Sequence, residues 1–339
     1  MTLRTGLTDL LGIEHPIVQA PIGSATCPEL AAAVTDAGGL GHLAVTWRSL
    51  DDTRRAIEET REAADGPFAV NLALDERTTD LPTDEHLETA LEAGAPVVSL
   101  SFGDPAPHVD RVREAGATVM ATVGSAEEAR AAVASGVDAV VAQGGEAGGH
   151  LQSDVATMPL VPRVADAVEG AGGSDVPVVA AGGIADGRGI AAALALGADG
   201  AWLGTRFVAT REANVVDGYR DRVADAAETD TVRSELFDGG WPGRDHRVLR
   251  NSTVEAWEAA GRPASGGRPG EGERVGAYPD GRPVERYDDD LPVSGATGET
   301  ESWALYAGQS AGTVDAVRPA GGVVGELVDG AETAIDGLP

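Results

Sequence analysis

Eight short apolar runs punctuate the first two-thirds of this chain, and alanine-rich amphipathic stretches separate them. This alternation constrains the fold more than any other feature. The runs are IVQA (17–20), LGHLA (40–44), FAVNLA (68–73), PVVSLS (96–101), ATVMATV (117–123), DAVVAQ (138–143), VPVVAA (176–181) and GAWLG (200–204). Helical stretches are expected at 28–37, 51–64, 84–93, 106–115, 126–134, 160–168 and 187–196. Most end in glycine, the residue a helix C-terminus favours because it adopts a left-handed backbone without strain. EAGA (92–95), EAGAT (114–118), ASGVDA (134–139) and ALGADG (195–200) each read as a helix stop feeding the next strand. Such βα repetition implies an α/β fold with a parallel sheet, and eight units fit a TIM (β/α)8 barrel better than an open sheet.

After residue 211 the rhythm is lost. The chain divides into a barrel over 1–211, a partly helical, partly irregular excursion over the barrel mouth at 212–312, and a C-terminal stretch, 313–339, that returns to the barrel as a helix. Within the excursion, 212–226 and 251–260 read as helices, whereas 261–301 is crowded with Gly, Pro, Arg and Asp and holds no steady period. Two outcomes remain open for it, a lid or partial disorder. The final helix is expected over 325–335.

Composition limits the partners. Fifty-five acidic against 25 basic residues give a net charge of -30, which argues against nucleic acid or an anionic membrane. No lysine occurs, so every basic side chain is arginine. Codon bias explains the missing lysine but not the acid, and the combination points to a salt-adapted cytoplasm where concentrated ions screen the repulsion among carboxylates. Cys27 stands alone, which rules out an internal disulfide and a four-thiolate metal site. Neither a signal peptide nor a bilayer-spanning stretch is expected.

Chemistry concentrates at strand ends, where a barrel of this kind carries its functional groups. DAVVAQGGEAGGH (138–150) joins a strand to a loop with four glycines and ends in an imidazole. Such a loop can approach a bulky ligand and offer it backbone N–H groups. Gln143 can donate to and accept from a heteroaromatic edge, and Glu146 either holds the loop or orients His150. QAPIG (19–23) forms a turn along which a flat ring could lie, Asn71 closes the third strand, and SFGDP (101–105) places Phe102 as a wall. AAGGIADGRG (180–189) and WLGTRF (202–207) together resemble a phosphate site made from backbone N–H groups near a helix N-terminus, a site that needs no lysine.

GIEHPIVQAPIG, PELAAAVTDAGGLG, FAVNLAL, VVSLSFGDP, GVDAVVAQGGEAGGH, VPVVAAGGIADGRGIAAALALGADGAWLGTRF and LYAGQSAG carry a resemblance to the nitronate monooxygenase family, formerly called 2-nitropropane dioxygenases. It covers residues 12–211 almost continuously and a patch at 305–312. The resemblance implies a metal-free TIM barrel that binds FMN and oxidises alkyl nitronates, or nitroalkanes, with molecular oxygen. Asn71, Gln143, Gly148, Gly149, Gly182, Gly183, Gly204 and Thr205 match its FMN-binding positions; Ala20, Pro21, Ile22 and Gly23 lie along the ring, and Trp202 and Leu203 lead into the last turn. His150 matches the active-site histidine, as a base in its neutral form or as an electrostatic anchor for nitronate when protonated. Phe102 and Tyr306 are expected in the substrate pocket.

Several positions depart from the family pattern. Ile22 stands for a methionine, Cys27 for a hydroxyl residue, and Leu151 and Gln152 for the usual pair after the histidine. The GGH loop is shared with FMN-dependent enoyl-acyl-carrier-protein reductases, so NAD(P)H-driven enoyl reduction is the alternative activity. A non-catalytic flavin-binding protein is a third reading, and homo-oligomerisation is left open. An IMP-dehydrogenase-like reaction is disfavoured because Cys27 lies near the first strand. Among the remaining residues, His42 reads as packed, and His15, His86, His108 and His246 as solvated. Trp241, Trp257 and Trp303 read as anchors of the tail, and Asp288, Asp289 and Asp290 as a solvated acidic run.

Overall fold

The structure, a computed structural model, describes residues 3–78 and 83–338. Each of the eight apolar runs forms a strand: β1 (Ile17–Gln19), β2 (Gly41–Ala44), β3 (Phe68–Ala73), β4 (Val97–Ser101), β5 (Thr118–Val123), β6 (Ala139–Gln143), β8 (Val178–Ala181) and β9 (Gly200–Leu203). β7 (Gly149–His150) is a two-residue strand outside the barrel. The eight pair in parallel in the order β1-β9-β8-β6-β5-β4-β3-β2. Leu40 closes the ring, donating to Ile17 O at 2.9 Å while its carbonyl accepts from Gln19 N at 3.0 Å. The result is a TIM barrel.

Strand alternation sorts the side chains into two layers. Val18, Leu40, Ala69, Val97, Met120, Val141, Val179 and Trp202 pack inside the barrel, where Leu7 and Leu11 of α1 (Gly6–Leu11) join them. Their neighbours along each strand face outward onto the helices α2 (Pro28–Asp36), α3 (Leu50–Ala63), α4 (Thr83–Glu92), α5 (Ala106–Glu114), α6 (Ala126–Ser135), α7 (Thr157–Gly170) and α8 (Gly187–Ala195). Ser49, Ser125 and Asp186 cap α3, α6 and α8 by accepting from the first-turn N–H groups.

The helix after β9, α9 (Thr205–Val208), is too short to occupy the eighth position in the ring. A later segment fills that place. After α10 (Asp217–Ala224) and α11 (Ser252–Ala259), the chain returns as α12 (Ala320–Asp336), which packs against α8 and α2. It starts five residues earlier than the 325–335 read from sequence, directly after Pro319. The α8–α12 contact is tight enough that a Cβ on Gly187 would lie 2.2 Å from the backbone of Gly330 and Ala331.

The excursion carries more strand than its composition implies. β10 (Thr231–Ser234) and β11 (His246–Leu249) pair antiparallel and extend onto β7, and His246 sits in register with His150. Within 261–301, β12 (Arg274–Ala277), β13 (Pro283–Glu285) and β14 (Thr297–Gly298) form a second small sheet, with Val275 and Val284 packed on the buried Trp303. No helix among the described residues is long and apolar enough to cross a membrane.

Candidate active site

A cavity of about 1040 Å³ opens at the C-terminal ends of the barrel strands. That is at the upper end of the roughly 300–1,000 Å³ typical of ligand sites, room for a cofactor with a substrate beside it. Ala20, Pro21, Ile22 and Gly23 line it from the turn after β1, Asn71 from β3, and Phe102 from the turn after β4. Gln143, Gly148, Gly149 and His150 come from β6 and its loop, Gly182 and Gly183 from the turn after β8, and Trp202, Gly204 and Thr205 from β9 and beyond. Tyr306 reaches in from the excursion. Leu203 is the exception: alternation turns its side chain into the helix-facing layer, although its carbonyl accepts from Ala20 N at 2.8 Å.

The two amides are held differently. Asn71 Nδ2 donates to Ser99 Oγ at 2.8 Å and Ser101 Oγ at 3.0 Å. Behind it, His42 Nε2 meets Ser99 Oγ at 2.8 Å, and burial pushes the His42 pKa down to about 3, so this imidazole is a neutral brace. Gln143 Oε1 accepts from Gln152 N at 2.6 Å, leaving its Nε2 without a partner in the described chain. Gln152, one of the departures from the family pattern, also accepts from Phe102 N at 3.2 Å and so ties two rim loops together. Phe102 itself has φ +64, a left-handed backbone that costs a non-glycine residue about 1–3 kcal/mol.

Glu146 holds the loop. Its carboxylate accepts from Thr157 N at 2.8 Å and Thr157 Oγ1 at 2.9 Å, and makes no bond to His150. The glycines allow close approach of other chain segments. A Cβ on Gly148 would lie 2.4 Å from Gly308 N, where the returning segment presses on the loop, and Gly308 N in turn donates to Thr205 Oγ1 at 2.9 Å. Gly182 and Gly183 both take left-handed backbones, with φ +101 and +73. The N–H groups of Gly183 and Gly204 bond to no acceptor among the described residues. Because α9 spans only four residues, its dipole adds little, and the anion donors here are the turns themselves.

His150 sits in an aromatic shell, its ring centroid 4.3 Å from Trp241, 5.5 Å from Tyr306 and 5.7 Å from His246. Burial, reinforced by His246 and Arg244, pushes its pKa well below the usual imidazole range, so it is neutral near pH 7. Its Nε2 is enclosed without a partner. Trp241 is held in turn: Nε1 donates to Asp75 at 3.0 Å, and the same carboxylate receives Arg244 at 3.0 Å. The Arg244 guanidinium lies 5.0 Å over Phe102 and 5.2 Å over Trp241.

Two readings of the sequence need correction, the solvated histidines and the solvated acidic run. His246 is fully buried rather than solvated, with its pKa down to about 4; its Nε2 accepts from Phe237 N at 3.2 Å and Nδ1 bonds Arg244 O at 3.2 Å. His86 is buried as well, bonded to Arg48 O at 2.9 Å, while His15 and His108 are half-buried. Trp241 anchors the excursion as expected but also forms the wall against His150, whereas Trp257 and Trp303 stay outside the cavity lining. Asp288, Asp289 and Asp290 line the cavity instead of facing bulk water. A glycine-flanked aromatic in an irregular stretch, Gly239-Gly240-Trp241, was the available sign that the excursion enters the site. Cys27 is a buried thiol, its pKa pushed up to about 12, and it bonds Glu212 O at 3.1 Å; it is no nucleophile.

A model of the nitronate monooxygenase family matches residues 4–330. The chain belongs to that family. Among its relatives is a Mycobacterium tuberculosis protein named (3aS,4S,5R,7aS)-5-hydroxy-7a-methyl-1-oxo-octahydro-1H-indene-4-carboxyl-CoA dehydrogenase, 42% identical over 77% of this chain and 70% of its own. The structure of FabK from Thermotoga maritima superposes with a TM-score of 0.79 at 32% identity, covering 98% of this chain and 97% of that one. The nitroalkane oxidase from Streptomyces ansochromogenes gives 0.78 at 33% identity, covering 99% and 100%. Nitronate monooxygenase family members are flavin-dependent oxidoreductases, and this chain is an enzyme of that kind. Its residues fit a flavin: paired left-handed glycines and unbonded N–H groups make a cradle at one end, and Gln143, whose Nε2 has no partner among the described residues, lies on the strand beside it.

Proposed function

We propose that the enzyme uses FMN to oxidise small nitroalkanes, by way of their nitronates, with molecular oxygen. The observation that carries this reading is His150, an imidazole kept neutral by burial and facing the cavity without a hydrogen-bond partner among the described residues. Gly183 and Gly204, whose N–H groups bond to no acceptor among the described residues, would hold the phosphate. Gln143 and Asn71 would meet the ring edge, with Ala20 to Gly23 along its face.

A neutral imidazole is suited to take the α-proton of a nitroalkane. His150 would receive it at Nδ1, the nitrogen not enclosed, leaving an imidazolium beside the new nitronate. Trp241, Phe102 and Tyr306 keep that ion pair in a poorly hydrated space, where mutual attraction is strong. A flavin held there would supply the electron transfer from substrate to oxygen; orientation and proton control belong to the protein.

Reduction or dehydrogenation of an acyl thioester is the second reading, favoured by the size of the cavity and by the name of the mycobacterial relative. The cavity mouth opposes it. Arg55 is paired with Asp52 and Arg282 with Asp290, and Arg48 is held on the carbonyls of Ala44 and Thr26, so a polyphosphate tail would compete with bonds already made by each guanidinium. Oxygen uptake with nitroethane and ethylnitronate, set against NAD(P)H oxidation driven by an enoyl thioester, decides between them. Thioester-dependent NAD(P)H oxidation without nitroalkane turnover would overturn the proposal.

A further inference from the structure

The excursion places one carboxyl group in the cavity wall that no other described residue holds. Asp289 lies against Gly240, close enough that a Cβ there would overlap the carboxylate oxygens, and it lines the cavity beside Tyr306, whose hydroxyl donates to Asp289 O at 2.9 Å. Its neighbours are occupied. Asp288 accepts from Glu285 N at 2.7 Å, and Asp290 binds Arg282 at 2.8 Å and Tyr278 Oη at 3.0 Å. The Asp289 carboxylate meets only its own backbone N–H and accepts from no other described residue. Burial, with the charges of Asp290 and Asp288, raises its pKa to about 7. A buried carboxylate left alone costs several kcal/mol unless a partner arrives. In an enzyme, that partner can be the substrate.

We propose that Asp289 sets substrate class, receiving a cationic amine carried by the nitroalkane at the end away from its reacting carbon and disfavouring substrates with a second anionic group there. The charges of the lining agree. Arg55 and Arg282 are paired with acidic partners, Arg48 is tied to the Ala44 and Thr26 carbonyls, and His150 is neutral, while the Asp289 carboxyl has no basic side chain on it. An ammonium gains a charge-assisted bond and relieves the repulsion among Asp288, Asp289 and Asp290. A carboxylate adds to that repulsion. The amine assignment rests on the nitroalkane reading only for what happens at the reacting end.

Binding therefore tests it separately from turnover. Calorimetric titration of the flavin-loaded protein at pH 8 with butylammonium and with butyrate should give at least a tenfold lower Kd for the cation. In Asp289→Asn the two should bind within about threefold of each other, whereas Glu285→Gln, an exposed carboxylate nearby, should keep the preference. Equal binding by the wild type overturns the proposal, as does a preference that survives in Asp289→Asn or vanishes equally in Glu285→Gln. Turnover of 3-nitropropylamine against 4-nitrobutyrate then reads the same selectivity. If the cation preference holds while no nitro compound is turned over, the nitroalkane reading fails and the Asp289 assignment stands.

Discussion

The barrel rim and the excursion build the same cavity in opposite ways. The rim contributes mostly absence, with Gly148, Gly182, Gly183 and Gly204 clearing space and exposing backbone donors where a side chain would collide or block. The excursion contributes bulk and charge through Trp241, Tyr306 and Asp289. His150 lies at their seam, attached to the barrel through its loop and paired to the excursion through His246. A division of labour follows: the rim seats the cofactor, and the excursion shapes what reacts with it.

The strongest test removes the residue at the seam. His150→Ala should lower turnover of a nitroalkane by about 10²- to 10⁴-fold, the usual worth of a positioned base, while the purified protein keeps its flavin absorbance. Because the imidazole is neutral well below pH 7, wild-type kcat/KM for a neutral nitroalkane should stay level from pH 8 to pH 6. A fall with apparent pKa near 7 would show that protonation of some group, His150 or Asp289, governs the step instead.

Next in size is Trp241→Ala. Truncating a buried tryptophan costs about 3–5 kcal/mol and also removes one of the donors to Asp75. If the division of labour holds, denaturant unfolding should shift by that amount, yet the folded variant should bind FMN nearly as well as the wild type, since none of the glycine turns rests on this ring. Flavin loss in proportion to the stability loss would erase the distinction between the regions.

The same distinction explains what could be read from sequence. The strands were visible because each buries a continuous run of apolar residues, and most helix stops were marked by a glycine. The cradle was visible because Gly182 and Gly183 sit immediately after a strand end. Trp241 and Asp289 were not, since their placement depends on contacts with Asp75 and Tyr306, 166 and 17 residues away in sequence. The small sheet of β12–β14 escaped notice because strands of two to four residues bury only Val275, Ala277 and Val284, too few to establish a period. Leu203 shows a subtler limit: a motif lists consecutive residues, but a strand sends them to opposite faces.

The histidine pairing offers a test through pH. His246 is neutral in the folded protein, with a pKa near 4 against 6.5 when unfolded, so the unfolded chain binds the extra proton. Its stabilising contribution is complete above pH 6.5 and declines as pH falls toward 4, by about 3 kcal/mol across that window. With 55 carboxylates titrating over the same range, the measurement must be a difference. Wild type minus His246→Gln should become less favourable on acidification. A constant difference would place the proton elsewhere.

The smallest expected effect probes the clamp between the regions. Asp75 receives Arg77, Trp241 and Arg244, which together hold its carboxyl well below the usual carboxylate range. Asp75→Asn keeps an acceptor but removes the charge, turning charge-assisted bonds into neutral ones, a change of about 1–2 kcal/mol. Stability should fall by that much, and KM should rise more than kcat falls, because Trp241 would lean less firmly on the wall where substrate rests while His150 keeps its own place through β7. Asp75→Glu, which restores the charge at a different reach, should recover stability more fully than KM. If kcat alone falls, the clamp acts on His150, and the two regions are coupled through the chemistry rather than through binding.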